Sequence, residues 1–210
     1  IMTHGDDSGL ILPPRVAPWQ VVIVPIPRGN WKETVLPKCE EIRDQLQAAG
    51  IRVRLDGDDS QTPGWKFSEY EMRGVPLRLE IGPKDIEKSA VFAARRDTRA
   101  KQSLPMQGLP GAVAALLDDI QASLLARARE FRDGHTVATM SYDEFTSIME
   151  GRPGFVPAPW CGSAQCETDI KTETQATIRN IPFGFEKAPG AGCVKCGNPA
   201  VVTAWFAKAY

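Results

Sequence analysis

A chain of 210 residues with 42% hydrophobic and 24% charged residues has the composition of an ordinary globular protein with one large or two small domains. It contains no apolar run near the roughly 20 residues that span a bilayer, which argues against a membrane protein. The formal net charge of -1 argues against a general nucleic-acid binder, because such proteins usually carry a large basic excess.

The first residues lack the basic and apolar regions of a secretory signal, so the cytoplasm is the expected compartment. Residues 1–18 are rich in Gly and Pro and begin in the middle of what looks like a functional loop, which suggests a truncated chain.

Basic residues are concentrated in one segment of the chain. From Lys66 to Lys101 nine basic residues stand against six acidic ones, a pattern that a solvated mixed-charge surface also explains.

The first predicted elements form a β-α-β unit. The β-branched run 21–24 between two prolines predicts a strand buried on both faces. Apolar residues then recur at helical spacing from Val35 to Ala49, and Gly50 ends the helix. Pro37 either starts this helix or kinks it. Alternation over 51–55 predicts the second strand, in the usual right-handed connection.

A short helix over 66–73, strands over 75–81 and 90–94, and a long helix over about 111–131 follow. Gly134 and His135 mark a domain boundary. Residues 19–134 are therefore predicted to form an α/β domain with a mixed, largely parallel sheet and flanking helices.

The second domain, residues 135–210, is predicted to be small and α+β. Ser141 and Glu144 form a capping-box pattern that begins a helix ending near Gly151. The proline-rich segment 153–159 connects this helix to the first cysteine pair. Residues 167–179 have weak helical character, and 201–206 is a candidate strand.

Four of the five cysteines form two close pairs separated by 26 residues: Cys161, Cys166, Cys193 and Cys196. Two short knuckles of this kind supply the four thiolates of a tetrahedral zinc site, and Gly162 and Gly197 provide the permissive backbone that knuckles often need. With no open ligand position, such a site is structural. Two disulfides or idle thiols are the alternatives. Cys39 lies on an apolar helix face and is expected to be a core residue.

Residues 4–18, from His4-Gly5-Asp6-Asp7 to Arg15-Val16-Ala17-Pro18, resemble the third class II synthetase motif in proline-tRNA ligases. The resemblance implies that 1–18 is the C-terminal edge of a class II catalytic domain. It places Arg15 on the nucleotide phosphates, and His4 and Asp6 in the pocket for ATP and proline. Without it, Arg15 would be interpreted as a surface arginine.

The resemblance continues through 62–67, 74–78, 81–85 and the end of the chain. It implies the eukaryote-like or archaeal-like type, with an anticodon-binding domain at 19–134 and a zinc-binding domain at 135–210. The first and second class II motifs are absent from this sequence, so the 210 residues alone are expected to be inactive in proline activation.

In that family the proline-specific anticodon bases are guanines, and the resemblance places their contacts on Glu71, Arg78, Asp85 and Lys101. A carboxylate can accept from guanine N1-H and N2-H, and arginine or lysine can donate to O6 and N7. A surface ion pair is the alternative explanation for each residue.

The resemblance also directs the terminal carboxylate of Tyr210 toward the active site, against the simpler interpretation of a frayed tail. It implies tRNA(Pro), L-proline and ATP with Mg as partners and substrates, and a homodimer formed through the absent catalytic domain.

The expected function is the anticodon-recognising part of a proline-tRNA ligase. A free-standing zinc-stabilised tRNA-binding or interaction module is the alternative. A small nucleotide-binding enzyme is disfavoured, because no glycine-rich loop follows the first strand.

Overall fold

The computed structural model describes residues 2–151, 154–183 and 190–208. The chain divides into two compact units, Ile1–Ala128 and Arg129–Tyr210. The first unit contains a five-stranded sheet and the helices around it. In chain order its elements are β1 (Val21–Pro25), α1 (Trp31–Thr34), α2 (Leu36–Ala48), β2 (Val53–Leu55), α3 (Pro63–Met72), β3 (Leu77–Ile81), α4 (Pro83–Glu87), β4 (Ala90–Arg95), β5 (Lys101–Pro105) and α5 (Leu109–Gly134), which extends past the unit boundary.

The sheet has the strand order β2-β1-β3-β4-β5. β1 is parallel to β2 and β3, whereas β4 is antiparallel to β3 and β5. The predicted mixed α/β class is confirmed, and parallel and antiparallel pairings are equal in number.

Both faces of β1 are buried, as its unbroken apolar sequence predicts. Val21 and Ile23 lie in the main apolar cluster with residues of α2 and α5, including Cys39. Val22 and Val24 lie in a second cluster on the other face, where α3 supplies Tyr70. The expected core position of Cys39 is confirmed, and burial raises the pKa of its thiol to about 12.

Pro37 lies at the beginning of α2 and does not kink it, because the helix starts at Leu36. Proline is tolerated in the first helical turn, where its missing N-H has no partner in any case.

By length and composition alone, α5 is apolar enough to cross a membrane, which corrects the expectation that no such segment exists. A helix that packs on a protein core passes the same test. Here Val113 and Leu117 lie in the main apolar cluster, and Ile120 and Leu124 pack with Ile11. Asp119 of the same helix forms an ion pair with Arg95. These contacts are those of an amphipathic helix that packs on its own unit.

The second unit is built on a smaller, fully antiparallel sheet with the order β6-β8-β7. Its elements are α6 (Tyr142–Glu150), β6 (Val156–Trp160), α7 (Ala164–Thr174), β7 (Ala176–Asn180) and β8 (Val202–Lys208). The predicted cap of α6 is confirmed, since the Ser141 side chain accepts from the Glu144 N-H. Phe145, Met149 and Phe206 are fully buried in the apolar cluster of this unit.

The sequence does not predict β6 because two of its five residues, Pro157 and Pro159, are prolines. Proline cannot donate to a β-ladder and is therefore confined mainly to edge strands. β6 is an edge strand, paired only with β8 within the described part of the sheet.

Candidate functional site

Strand register creates a row of four residues across the sheet of the first unit. Val22 of β1 pairs with Arg78 of β3, Arg78 with Ala94 of β4, and Ala94 with Lys101 of β5. All four, together with Glu71 from the end of α3, line one cavity of about 130 Å³. Adjacent strands are about 4.8 Å apart, so the backbones of β3 and β5, which carry Arg78 and Lys101, are separated by roughly 10 Å. Ala94 lies between them, and its small side chain leaves the space between Arg78 and Lys101 open.

Arg78 holds Glu71 at the wall of this cavity. The Arg78 side chain is only 7% exposed, and its Nη1 donates to Glu71 Oε1 at 2.8 Å. Its Nε donates to Glu80 Oε1 at 3.1 Å, and its Cζ lies 4.0 Å from the centroid of the Phe67 ring. The Glu71 side chain itself is 42% exposed. A carboxylate fixed on one side and open on the other can accept hydrogen bonds from a ligand.

Two exposed cations, Lys101 and Arg99, stand at the same cavity. Arg99 adopts a left-handed conformation with φ 61° in the turn between β4 and β5. Acceptors on one side and donors on the other suit a ligand edge that carries both kinds of group, such as a nucleobase.

Asp85 is held at a different place. Its Oδ2 accepts from the Gly82 N-H at 2.8 Å and so caps α4. It is not among the residues that line the cavity. The structure therefore brings together three of the four residues that the family resemblance assigns to the anticodon, and gives Asp85 a local structural partner.

Most of the basic residues between Lys66 and Lys101 are engaged in ion pairs. The buried Lys66 binds Asp56 at 2.8 Å, Arg73 binds Glu69 at 2.6 Å, and Arg95 binds Asp97 at 2.8 Å. The mixed-charge interpretation holds for these residues. At the cavity, Arg99 donates to Ser8 Oγ at 2.7 Å and lies 3.5 Å from Asp6 Oδ2, whereas Lys101 is exposed at its edge.

The three residues predicted to line an ATP and proline pocket have different neighbours in the first unit. Burial and the nearby Arg127 lower the pKa of His4. The Asp6 carboxylate is bound by Arg96, whose hydrogen bonds hold the pKa of Asp6 well below its usual range. Arg15 is exposed, and its backbone N-H donates to Gln121 at 3.1 Å. The assignment of these residues to a nucleotide pocket stays a prediction.

The four cysteines of the second unit form one cluster in which all the sulfur atoms lie within 4.8 Å of one another. Cys161 Sγ is 3.7 Å from Cys166 Sγ and 3.8 Å from Cys196 Sγ. A disulfide would require about 2.0 Å, so the described cysteines are free thiols. Four ligands at about 2.3 Å from a tetrahedral zinc ion would be about 3.8 Å apart, so the spacing fits one such ion.

Local backbone geometry places the cysteines. Cys161 directly follows β6, and Cys166 lies in the first turn of α7. Gly162 and Gly197 have φ values of 81° and 74°, which confirms the permissive positions predicted after the two pairs. The Val194 N-H donates to the Pro159 carbonyl at 2.9 Å and ties the second knuckle to β6.

The environment of the thiols differs from one to the next. Burial raises the pKa of Cys161 and raises that of Cys166 to about 12. Burial also acts on Cys193, but hydrogen bonds from the backbone N-H groups of Cys196 and Lys195 outweigh it and lower the pKa of Cys193 to about 7. Backbone donors that favour a thiolate make this turn suitable for a metal.

Tyr210, the predicted active-site-directed C-terminus, lies outside the described residues.

Two family models match the chain, one for each unit. A model described as an anticodon binding domain matches residues 20–116. A second, described as the C-terminal region of prolyl-tRNA synthetase, matches residues 142–210. The chain belongs to the prolyl-tRNA synthetase family. It corresponds to the C-terminal region of that family, which contains the anticodon-binding part.

Curated relatives match over the entire chain. A proline-tRNA ligase from Acetoanaerobium sticklandii is 51% identical over 210 residues, and one from Lachnospira eligens is 48% identical over 210 residues. Proline-tRNA ligase 2 from Clostridioides difficile is 49% identical over 212 residues. Each match covers 100% of this chain and 43% of the relative. The chain thus spans less than half the length of these prolyl-tRNA synthetase family members.

Proposed function

We propose that the chain is the anticodon-recognising, zinc-stabilised part of a proline-tRNA ligase that attaches L-proline to tRNA(Pro) through an ATP-dependent prolyl-adenylate. The observation that carries the proposal is the cavity in which Glu71, Arg78 and Lys101 meet within the region that matches an anticodon binding domain. The corresponding domains are 1–18, 19–134 and 135–210, for the catalytic edge, the anticodon-binding domain and the zinc-binding domain.

The cavity supplies the groups that would distinguish guanine from other bases. Glu71 accepts from N1-H and N2-H, which only guanine presents together on its Watson-Crick edge. Lys101 donates to O6. Arg78 lines the cavity and orients Glu71 through the 2.8 Å contact. Asp85, whose Oδ2 caps α4, would serve the second guanine through its other carboxylate oxygen.

The cysteine cluster would hold one structural zinc ion, with Cys161, Cys166, Cys193 and Cys196 as its ligands. The zinc ion would cross-link β6, α7 and the second knuckle. It would not take part in catalysis, because four thiolates complete its coordination. The sulfur separations near 3.8 Å support this assignment.

Activation of proline would require the remainder of the longer protein, with ATP and Mg as its substrates and His4, Asp6 and Arg15 at the edge of its pocket. The Tyr210 carboxylate would approach that pocket. We place the enzyme in the cytoplasm, as a homodimer formed through the catalytic domain. An ATP-pyrophosphate exchange assay with the 210 residues alone should show no proline-dependent exchange. Clear exchange would contradict the assignment of proline activation to the remainder of the longer protein.

Recognition of guanine is tested by equilibrium binding of the chain to an anticodon stem-loop of tRNA(Pro). Replacing an anticodon guanine with inosine removes N2-H alone, and a hydrogen bond to a charged group contributes about 1.5–3 kcal/mol. We expect roughly tenfold weaker binding or more, whereas inosine in the stem should change little. Equal affinity for the guanine and inosine loops would contradict the proposed function.

A further inference from the structure

Arg96 connects two segments of the first unit that are far apart in sequence. Its Nη1 and Nη2 donate to Asp6 Oδ2 at 2.8 Å and Oδ1 at 2.5 Å. Its Nε donates to the backbone carbonyl of Glu71 at 2.9 Å. The residue is only 4% exposed. One buried guanidinium therefore joins the Asp6 carboxylate to the last turn of α3, which carries Glu71.

The Asp6 carboxylate is held in place for this contact by its own loop. Asp6 and Gly9 exchange two backbone hydrogen bonds of 3.0 and 2.9 Å, and the Ser8 N-H donates to Asp6 Oδ1 at 2.9 Å. A bidentate pair between arginine and a carboxylate fixes geometry as well as charge. Removing one partner of a buried pair leaves the other charge uncompensated, so Arg96 depends on Asp6 to stay where it is.

The same loop packs closely on the end of α3. The Leu10 N-H donates to the Met72 carbonyl at 3.0 Å, and the Leu12 N-H donates to the Gly74 carbonyl at 3.2 Å. A Cβ added at Gly9 would lie 2.5 Å from Met72 Cα, so the two backbones touch and a side chain would not fit. The last turn of α3, which directs the Glu71 side chain toward the cavity, is thus held in place by the loop that contains Asp6.

We propose that Asp6, acting through Arg96, is a positioning residue for the recognition of guanine by Glu71. Asp6 lies outside residues 20–116, the region that matches an anticodon binding domain, so the cavity depends on a residue from the preceding segment. This inference rests on the proposed function, and it gives Asp6 a role in RNA recognition that is separate from its predicted place in a nucleotide pocket.

The test compares variants of the 210-residue chain for binding to the anticodon stem-loop with guanine and with inosine. Asp6→Asn keeps the size of the side chain but removes the charge that holds Arg96. The same charge lies 3.5 Å from Arg99 Nη2, but Arg99 keeps its 2.7 Å hydrogen bond to Ser8 Oγ in this variant. We expect its affinity for the guanine loop to fall severalfold and its guanine-to-inosine ratio to fall by at least about threefold toward that of Glu71→Gln. Asp7→Asn, the matched neighbour, should leave both quantities unchanged.

A double variant separates positioning from a general loss of structure. If Asp6 acts through Glu71, Asp6→Asn should not lower the guanine-to-inosine ratio further in the Glu71→Gln background, because coupled residues are not additive. A purely structural role would lower the affinity for both loops equally and leave the ratio of the single variant unchanged. That result would overturn the inference.

The outcomes also separate this inference from the proposed function. If the wild-type chain does not discriminate guanine from inosine, the proposed function fails and this inference fails with it. If the wild-type chain discriminates and Asp6→Asn discriminates equally well, only the positioning role is overturned. Should Asp6→Asn not fold, Arg96→Lys, which keeps the charge but loses the bidentate contact, is scored by the same ratio.

Discussion

The cavity of the first unit and the cysteine cluster of the second are held in different ways. The cavity lies on a sheet whose opposite face is covered by a large apolar cluster with residues from four strands, β1 to β4, and two helices, α2 and α5. Its own side chains add ion pairs on top of that core. The second unit has a smaller cluster around Phe145 and Phe206, and its four thiols bring together the end of β6, the first turn of α7 and the second knuckle. The first unit should therefore survive damage to its site, whereas the second should not.

The largest effect is expected from loss of the metal. Cys193→Ser, or removal of zinc by a chelator, should unfold the second unit, because structural zinc contributes on the order of 10 kcal/mol to small domains. Amide hydrogen exchange should show β8 unprotected and β1 unchanged. Metal analysis should find about one zinc per chain in the wild type and in Cys39→Ala, the control that removes the cysteine outside the cluster. Zinc near zero in the wild type would contradict the account.

A smaller effect, confined to the first unit, is expected from Asp56→Ala. The Lys66 side chain is 5% exposed and its ammonium binds Asp56 Oδ1 at 2.8 Å. Removing one partner of a buried ion pair costs about 3–5 kcal/mol. Denaturant unfolding should show this loss, whereas Asp59→Ala, which removes the partner of the exposed Lys32, should cost less than about 1 kcal/mol. Equal losses in the two variants would show that Lys66 is not effectively buried.

The site of the first unit should be separable from its stability. Glu71→Gln should weaken binding of the guanine stem-loop by roughly tenfold or more, since a hydrogen bond to a charged acceptor contributes about 1.5–3 kcal/mol. Its melting temperature should change little, because Arg78 keeps its ion pair with Glu80 and the Glu71 side chain is partly exposed. Glu69→Gln, on the same helix but paired with Arg73, is the matched control and should bind normally. Normal binding by Glu71→Gln would remove Glu71 from the site.

The smallest expected effect is on acid stability. The pKa of Asp6 is lowered in the folded chain, mainly by hydrogen bonds from Arg96, from an ordinary value of 3.8. A lowered folded pKa contributes stability that is present above the unfolded pKa and is lost as the pH falls below it. Unfolding free energy of the first unit should therefore decrease below about pH 4. Asp6→Asn should show a shallower decrease than Asp7→Asn, and identical pH profiles would contradict the pairing.

The two sites also differ in how far the sequence predicts them. Zinc-binding cysteines occur in close pairs, so the cysteine spacing predicted a cluster of four thiols, with two disulfides or idle thiols as the alternatives, and the structure contains that cluster. Glu71, Arg78 and Lys101 carry no such local signal. Only the resemblance to a family suggested them, and their meeting depends on the pairing of Arg78 with Ala94 and of Ala94 with Lys101.

The fold shows the same limit. Elements with clear periodicity, such as β1 and α2, were predicted close to their observed bounds. β5 is mostly exposed and polar, β6 contains two prolines, and β7 follows a helix directly, so none of the three has the alternation that predicts a strand. The pair of Asp6 and Arg96 lies beyond local patterns altogether, because 90 residues separate its members.

The most direct test of the account is a crystal structure of the 210-residue chain bound to the anticodon stem-loop of tRNA(Pro). We expect an unstacked guanine in the cavity beside Ala94, with its N1 and N2 within about 2.7–3.2 Å of the Glu71 carboxylate oxygens. We also expect Arg96 still to bridge Asp6 and the Glu71 carbonyl. An anticodon bound elsewhere on the chain, with Glu71 still paired only to Arg78, would contradict it.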